Sequence, residues 1–190
     1  MTARWAGVDV GGRRKGFDVA VVDAERIVAG PSRLPNAASV TLFLREWEPR
    51  IVAVDSPSCT AGHGERSRAG ERSLARAVCG IRYTPSRATL EEGNPYYDWI
   101  RHGLELYEAL EGGAWRVVEC FPTASWTRWS GRRNGRSRAA WSTGALAKLD
   151  VSGVPRRTSQ DARDAIAAAL TARCFDQGST VSFGEIVVPV

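Results

Sequence analysis

Five carboxylates interrupt stretches of the sequence that are otherwise apolar. They are Asp9, Asp55, Glu119, Asp161 and Asp164. A carboxylate buried without a partner loses its hydration, so it either costs free energy or takes up a proton. Several converging carboxylates can keep their charge when cations share it, and oxygen ligands are those that Mg²⁺ and Mn²⁺ prefer. The pattern therefore predicts a divalent-metal site.

Such a site has a defined chemistry. Two divalent ions roughly 3.5–4 Å apart, bridged by carboxylates, can activate a water molecule and stabilise the leaving oxygen of a phosphodiester. The ligands must come from separate elements that a rigid sheet holds in place. No histidine is required, which suits a chain whose only histidines are His63 and His102.

The spacing of apolar residues predicts the elements that would position these acids. Strands are predicted at 3–10, 17–22, 26–29, 51–55 and 115–121, and helices at 37–47, 67–78, 94–110 and 159–175. Residues 122–142 are predicted to be a loop with some helix, and 185–190 a short β-like tail. We expect the α/β class: one domain over 1–190 with a mixed five-stranded sheet flanked by helices. Its three N-terminal strands would form an antiparallel meander, followed by parallel strands, with a helical insertion at about 60–112 between the fourth and fifth strands.

In sheets of this kind, ligands gather beyond the carboxyl ends of the parallel strands. Asp55 and Glu119 lie at such ends, and Asp9 lies close to its own. Alternation along each strand gives every one of these acids a face that is otherwise typical of a core, because its neighbours two residues away are apolar or small. Asp161 and Asp164 are three residues apart and share one side of a helix.

The bulk composition is that of a globular protein, with 43% hydrophobic and 25% charged residues. The four cysteines are scattered without metal-ligand or disulfide spacing. No apolar run approaches the length of a membrane span and the N-terminus has no signal-peptide pattern, so we expect no membrane partner and a cytoplasmic location. The net charge of +5 permits a polyanionic partner without establishing one.

One segment concentrates the basic charge. Residues 126–138 hold five arginines, two tryptophans and no acid. Arginine suits phosphate and indole rings can stack on bases, whereas the alternative is a solvated loop that its tryptophans anchor to the core. Together with the basic run after the first strand, the candidate substrate-binding residues are Arg13, Arg14, Lys15, Trp126, Arg128, Trp129, Arg132 and Arg133.

Two motifs resemble known nucleases. Residues 7–17 (GVDVGGRRKGF) resemble the first strand and turn of RNase H-like nucleases of the Holliday-junction resolvase branch. Residues 161–170 (DARDAIAAAL) resemble the helix of that branch in which both aspartates serve the metals. Asp55 matches the acid of the fourth strand, which is usually Glu in that branch, so the ligand here is one carbon shorter.

Over nearly the whole chain, the sequence resembles the family called domain of unknown function 429, described as predicted nucleases of RNase H fold. The matching pieces are 54–57 (VDSP), 68–76 (RAGERSLAR), 119–122 (ECFP) and 161–172 (DARDAIAAALTA). The resemblance implies a metal-dependent nuclease that uses two Mg²⁺ or Mn²⁺ ions on Asp9, Asp55, Glu119 and Asp164, with Asp161 also catalytic. It also adds Arg68 to the substrate-binding candidates. Glu119 has no counterpart in the minimal RNase H-like quartet.

Four of the five acids also have a structural interpretation. Asp9 could cap the Gly11-Gly12 turn, Asp55 could open a turn, and Glu119 could pair with an arginine such as Arg116 or Arg128. Asp161 could complete a capping box with Thr158.

Other functions remain open. The fold could serve as a non-catalytic module that binds nucleic acid or nucleotide. A kinase or ATPase of the actin-like fold shares the pattern G-x-D-x-G-G but needs two related domains. The substrate (branched DNA, duplex DNA, hybrid, RNA or a small phosphoester) and dimerisation are not determined by the sequence.

Overall fold

The computed structural model describes residues 2–190 and contains one seven-stranded sheet. The strands are β1 (Trp5–Val10), β2 (Phe17–Val22), β3 (Ile27–Leu34), β4 (Ile51–Asp55), β5 (Arg116–Cys120), β6 (Thr180–Phe183) and β7 (Ile186–Pro189). They lie in the order β3-β2-β1-β4-β5-β7-β6. β3, β2 and β1 are antiparallel, β1, β4, β5 and β7 are parallel, and β6 returns antiparallel to β7.

Helices cover both faces of the sheet. They are α1 (Ala37–Trp47), α2 (Ala69–Ala77), α3 (Arg87–Glu91), α4 (Asp98–Leu110), α5 (Pro122–Ser130), α6 (Arg138–Leu146) and α7 (Gln160–Asp176), with a 3-10 turn at Pro95–Tyr97. The core on one face joins the sheet to α5, α6 and α7, and the core on the other joins it to α1 and α4. α2, α3 and α4 all lie between β4 and β5. Within residues 2–190, no helix is long and apolar enough to cross a bilayer.

The mixed α/β architecture is confirmed, but the predicted count of five strands is wrong. The additional pair is the β6–β7 hairpin, whose strands have four residues each and are joined through Gly184 and Glu185. Strands this short carry too few alternating positions to be separated from a tail by pattern alone. The segment 122–142, predicted as a loop with some helix, is mostly helical, because Pro122 starts α5 and Ser137 caps α6.

The packing of α7 on β1 is unusually close. A Cβ on Gly7 would lie 2.0 Å from the backbone nitrogen of Ala169 and 2.2 Å from the carbonyl oxygen of Ala165. α7 is buried continuously from Ala162 to Ala172 and presents mainly alanine, so its backbone can reach the sheet. Gly7 in the strand and alanine in the helix together set the distance between the two elements.

We therefore expect Gly7→Ala to lower the free energy of unfolding by about 3 kcal/mol or more, because the added methyl meets helix backbone that cannot move aside. Urea denaturation measures this. The matched control is Gly144→Ala in α6, where a Cβ meets nothing within 4 Å and the helix gains up to about 1 kcal/mol. Equal midpoints for the two variants would contradict the close-packing account.

Candidate active site

A row of three carboxylates crosses one face of the sheet. Asp9 on β1 is in register with Asp55 on parallel β4 and with Asp18 on antiparallel β2. Residues in register on neighbouring strands point to the same face. This is the face that α7 covers, since Ala53 and Ala20, two residues from Asp55 and Asp18, belong to the core beneath that helix.

The first turn and a half of α7 adds two more acids above this row. Ser159 caps the helix by accepting a hydrogen bond from the backbone N–H of Ala162 at 3.0 Å. Asp161 is therefore the second helical residue and does not form a capping box with Thr158. Its carboxylate instead accepts hydrogen bonds from Lys15 at 2.8 Å and Arg33 at 3.1 Å.

Asp164 lies deeper and is 2% exposed. Its Oδ1 accepts hydrogen bonds from the indole N–H of Trp126 at 2.8 Å and from Gln160 at 3.0 Å. Its Oδ2 accepts one at 2.9 Å from Arg138, whose side chain is 47% exposed. Trp126 and Gln160 thus orient the Asp164 carboxylate from the protein interior, and Arg138 contacts it from the solvent side.

The acids raise one another's proton affinity. Burial, and then the charges of Asp55, Asp164, Asp161 and Asp18, raise the pKa of Asp9 well above its usual value. Burial and Asp164 raise the pKa of Asp55 to about 8, although Arg138 and a hydrogen bond with Asp9 act in the opposite direction. The pKa of Asp164 is also raised by burial, against the influence of Arg138, Trp126 and Gln160. The site has an excess of negative charge that nearby arginines only partly offset.

Asp18 is a residue that the sequence analysis missed. One oxygen each from Asp9, Asp18 and Asp161 lie within 4.8 Å of one another, which is close enough for a shared metal ion. Arg33 holds Asp18 through two hydrogen bonds, at 2.9 and 2.7 Å. The signal is present in the sequence, because Asp18 interrupts the apolar run of β2 just as Asp9 interrupts that of β1.

Glu119 does not join the row, and its role as a metal ligand stays a prediction. It is in register with Val54, whose side chain lies in the core under α1 and α4, so Glu119 projects from the opposite face to Asp55. Its Oε2 accepts hydrogen bonds from the backbone and side chain of Ser58 and from Arg68, each at 2.8 Å, and Oε1 accepts from Arg68 as well. Glu119 is therefore an ion-paired residue at the edge of the site.

Arg68 belongs to the same buried network, and its contact with a substrate stays a prediction. It is 5% exposed and bonded to both Glu119 and Glu71. Glu71, only 1% exposed, also accepts hydrogen bonds from the backbone N–H and hydroxyl of Thr84. These contacts fasten α2 to the end of β5. The local sequence around Arg68 predicts a solvated helix face. It does not indicate that Glu119, 51 residues away, forms an ion pair with Arg68.

A cleft of about 650 Å³ opens over the acids. Carboxylates and cations line it from the α7 side: Asp9, Asp55, Asp161, Asp164, Lys15 and Arg138. The Arg68–Glu119 pair lines its far wall. The predicted acids thus share one cleft, with Glu119 separated from the rest by the edge of the sheet.

The remaining basic and aromatic candidates fall into distinct places. Trp126 is fully buried, so it cannot stack on a base, and Trp129 packs edge-on against it at 5.5 Å between ring centroids. Arg13 pairs with Asp98 and Glu105 on α4. The other basic candidates are Arg14, Lys15, Arg128, Arg132 and Arg133, and each is exposed. The tryptophans of residues 126–138 therefore anchor this segment to the core, as one of the two interpretations expected, and do not form a surface on which bases could stack.

The mixed sheet flanked by helices has the RNase H-like fold, and solved structures share it. "Thermus thermophilus RuvC structure" matches with a TM-score of 0.50 at 16% identity, covering 98% of this chain and 99% of that one. "T. thermophilus RuvC in complex with Holliday junction substrate" matches with a TM-score of 0.53 at 16% identity, covering 99% of each chain. No curated protein matches the sequence. Residues 7–186 match the family described as "Protein of unknown function (DUF429)", and the chain belongs to that family.

The raised pKa of Asp55 predicts the pH dependence of stability without metal. The usual pKa is 3.8 and the folded value is about 8, so between these values the folded state holds a proton that the unfolded chain has lost. The contribution of Asp55 to stability therefore falls as pH rises through that window. We expect Asp55→Asn to flatten this decline and to be more stable than the wild type at about pH 9 in EDTA.

Thermal unfolding across pH measures the effect. Asp150→Asn serves as the control, because Asp150 is exposed and lies outside the cleft. The same pH slope in the wild type and Asp55→Asn would contradict the assignment of this penalty to Asp55.

Proposed function

We propose that this protein is a metal-dependent nuclease that hydrolyses phosphodiester bonds by a two-metal-ion carboxylate mechanism. One observation carries the proposal: Asp9 and Asp55 lie side by side at the floor of a cleft, and neither forms an ion pair with any residue in 2–190. Asp9 and Asp55 are half-buried, and adjacent carboxylates that have lost part of their hydration repel each other unless a bound cation shares their charge.

The donor set fits divalent metal. All the groups are hard carboxylate oxygens on rigid elements, and Mg²⁺ and Mn²⁺ prefer such ligands. We assign Asp9, Asp55 and Asp164 as the principal ligands, with Asp161 completing the set and Asp18 within reach of Asp9 and Asp161. Glu119, predicted as a ligand, is better assigned as a residue that positions the 56–60 loop, because it projects from the opposite face of the sheet to Asp55 and holds Ser58 and Arg68.

Two ions bound here would activate water and stabilise the leaving oxygen of a phosphodiester. The chain's own residues supply orientation and charge. Trp126 and Gln160 fix Asp164, so that its oxygens keep one direction. Lys15, with its side chain 62% exposed at Asp161, is free to turn towards a substrate phosphate at little cost.

The nucleic-acid substrate is part of the proposal. It is supported by the shared fold, because one matching RuvC structure is described as a complex with a Holliday junction. At 16% identity, that likeness concerns the fold alone. Dimerisation and a cytoplasmic location remain predictions. The actin-like kinase finds no support, since residues 2–190 form one sheet and not two related domains.

The alternative is a binding module without catalysis, and metal binding separates the two. We expect Mg²⁺ or Mn²⁺ to raise the melting temperature, because a ligand at 100 times its Kd adds about 2.7 kcal/mol. Asp9→Asn should abolish that rise while leaving the metal-free protein at least as stable, since the substitution removes a buried charge. Asp150→Asn, altered at an exposed site, should respond to metal as the wild type does.

Cleavage is measured on branched DNA, duplex DNA, an RNA–DNA hybrid and RNA with each metal. The nuclease requires metal-dependent cleavage of at least one of them and its loss in Asp9→Asn. A protein without metal-dependent stabilisation that cleaves none of these substrates would be the non-catalytic module.

Glu119→Gln tests the role assigned to that residue. Neutralising Glu119 leaves Arg68 buried with less compensation, so we expect a loss of roughly 3 kcal/mol in unfolding free energy. The metal-induced rise in melting temperature should remain, because Glu119 is ion-paired and not a ligand. Glu111→Gln, at an exposed position, is the matched control. Loss of the metal response in Glu119→Gln, with Asp9 intact, would return Glu119 to the ligand set.

A further inference from the structure

A second cleft lies beside the acids. It has a volume of about 520 Å³ and runs between the α5–α6 pair and the end of α2. We call it the arginine groove, and its principal lining residues are Thr123, Thr127, Arg132, Arg133, Arg138 and Trp141. It contains no acidic side chain in its lining, in contrast to the cleft over Asp9.

The cations of the groove are not neutralised by the protein. Among residues 2–190, neither Arg132 nor Arg133 forms an ion pair. The sequence offers no local partner either, because residues 126–149 contain no Asp or Glu. Both side chains are exposed. Two adjacent free guanidinium groups in a concave surface attract phosphate more strongly than isolated arginines on a convex one.

The loop that carries these arginines is held in shape. Arg136 donates hydrogen bonds to the carbonyl oxygens of Arg132 and Arg133, both at 3.0 Å. The indole N–H of Trp141 donates to the carbonyl oxygen of Gly131, also at 3.0 Å. The backbone is thus fixed by contacts that leave the two arginine side chains unused. A site whose backbone is ordered in advance loses less entropy on binding.

The groove is continuous with the acidic cleft. Gly80, Thr123 and Arg138 line both. Arg138 also donates to Asp164, so one guanidinium marks the junction between the carboxylates and the groove. A linear polyanion entering along the groove would pass Arg138 and reach Asp9.

We propose that the arginine groove binds the backbone phosphates of a polynucleotide strand next to the phosphodiester held at Asp9. This inference rests on the proposed function and specifies its substrate as a strand with several successive phosphates, in preference to a small phosphoester. Recognition is of the backbone, because the groove's aromatic residue, Trp141, is 3% exposed and offers no face for a base.

Binding without metal tests the groove separately from catalysis. The probe is a fluorescein-labelled single-stranded DNA of about 15 nucleotides, within the length that single-strand sites cover. Anisotropy in EDTA compares the wild type with Arg132→Ala/Arg133→Ala. The matched control is Arg156→Ala/Arg157→Ala, which removes the same charge from exposed residues outside both clefts.

We expect the groove variant to bind at least about tenfold more weakly and the control to stay within about twofold, because Arg156 and Arg157 lie outside both clefts. The slope of log Kd against log salt should fall by roughly 1.4 in the groove variant, since each of the two arginines neutralises one phosphate and each neutralised single-strand phosphate accounts for about 0.7. No binding by the wild type, or equal weakening of both double variants, overturns the proposal.

Hydrolysis of bis(p-nitrophenyl) phosphate with Mn²⁺ tests the acids separately, because this diester has a single phosphate and Arg132 and Arg133 do not line the cleft over Asp9. We expect the groove variant to lose strand cleavage by a larger factor than hydrolysis of this diester, and its melting temperature shows whether it is folded. A parallel loss of this activity would mean that the arginines act at the acids and would overturn a separate groove. If strand binding depends on the two arginines but the protein cleaves no diester, the phosphate-binding groove is supported and the proposed nuclease function is contradicted.

Discussion

The contact between α7 and β1 determines both the core and the site. α7 lies so close to the sheet that Gly7 has no room for a Cβ. Asp9 follows Gly7 by two residues on the same face of β1, and Asp164 immediately precedes Ala165, which touches Gly7. The interface that excludes water from the core therefore also fixes the distance between the acids. Any change that lifts the helix from the strand separates them.

The acids oppose the stability that this packing provides. Burial and mutual repulsion raise the pKa of Asp9, Asp55 and Asp164, which means that each charge is unfavourable in the folded state. The cations that offset it approach from the open side, and Lys15, Arg33 and Arg138 are 62%, 49% and 47% exposed. Exposed partners of this kind contribute little and are easily displaced. A divalent ion entering the cleft would thus compete only with weakly held side chains.

The sequence predicts the parts of this site that depend on local pattern. Asp9 and Asp55 are identifiable because each interrupts an apolar strand, and the mixed α/β fold follows from the order of elements. The face on which Glu119 lies is not predictable in this way, because alternation places a residue on one of two faces, and only the pairing of β5 with β4 decides which face meets α7. The burial of Trp126 depends on α5 docking beside α7, a contact between segments far apart in sequence. Strand register and helix docking depend on contacts between distant segments, and the local periodicity of the sequence does not specify them.

Arg138 gives the two clefts a physical connection. It donates to Asp164 and also lines the arginine groove, so a phosphate in the groove and the carboxylate of Asp164 compete for one guanidinium. If a strand draws Arg138 away, Asp164 loses the cation that most strongly lowers its pKa, and the negative charge of the acidic cleft is less well compensated. Metal ions would then be held more tightly. Because binding free energies are reciprocal, bound metal would in turn release Arg138 towards the strand.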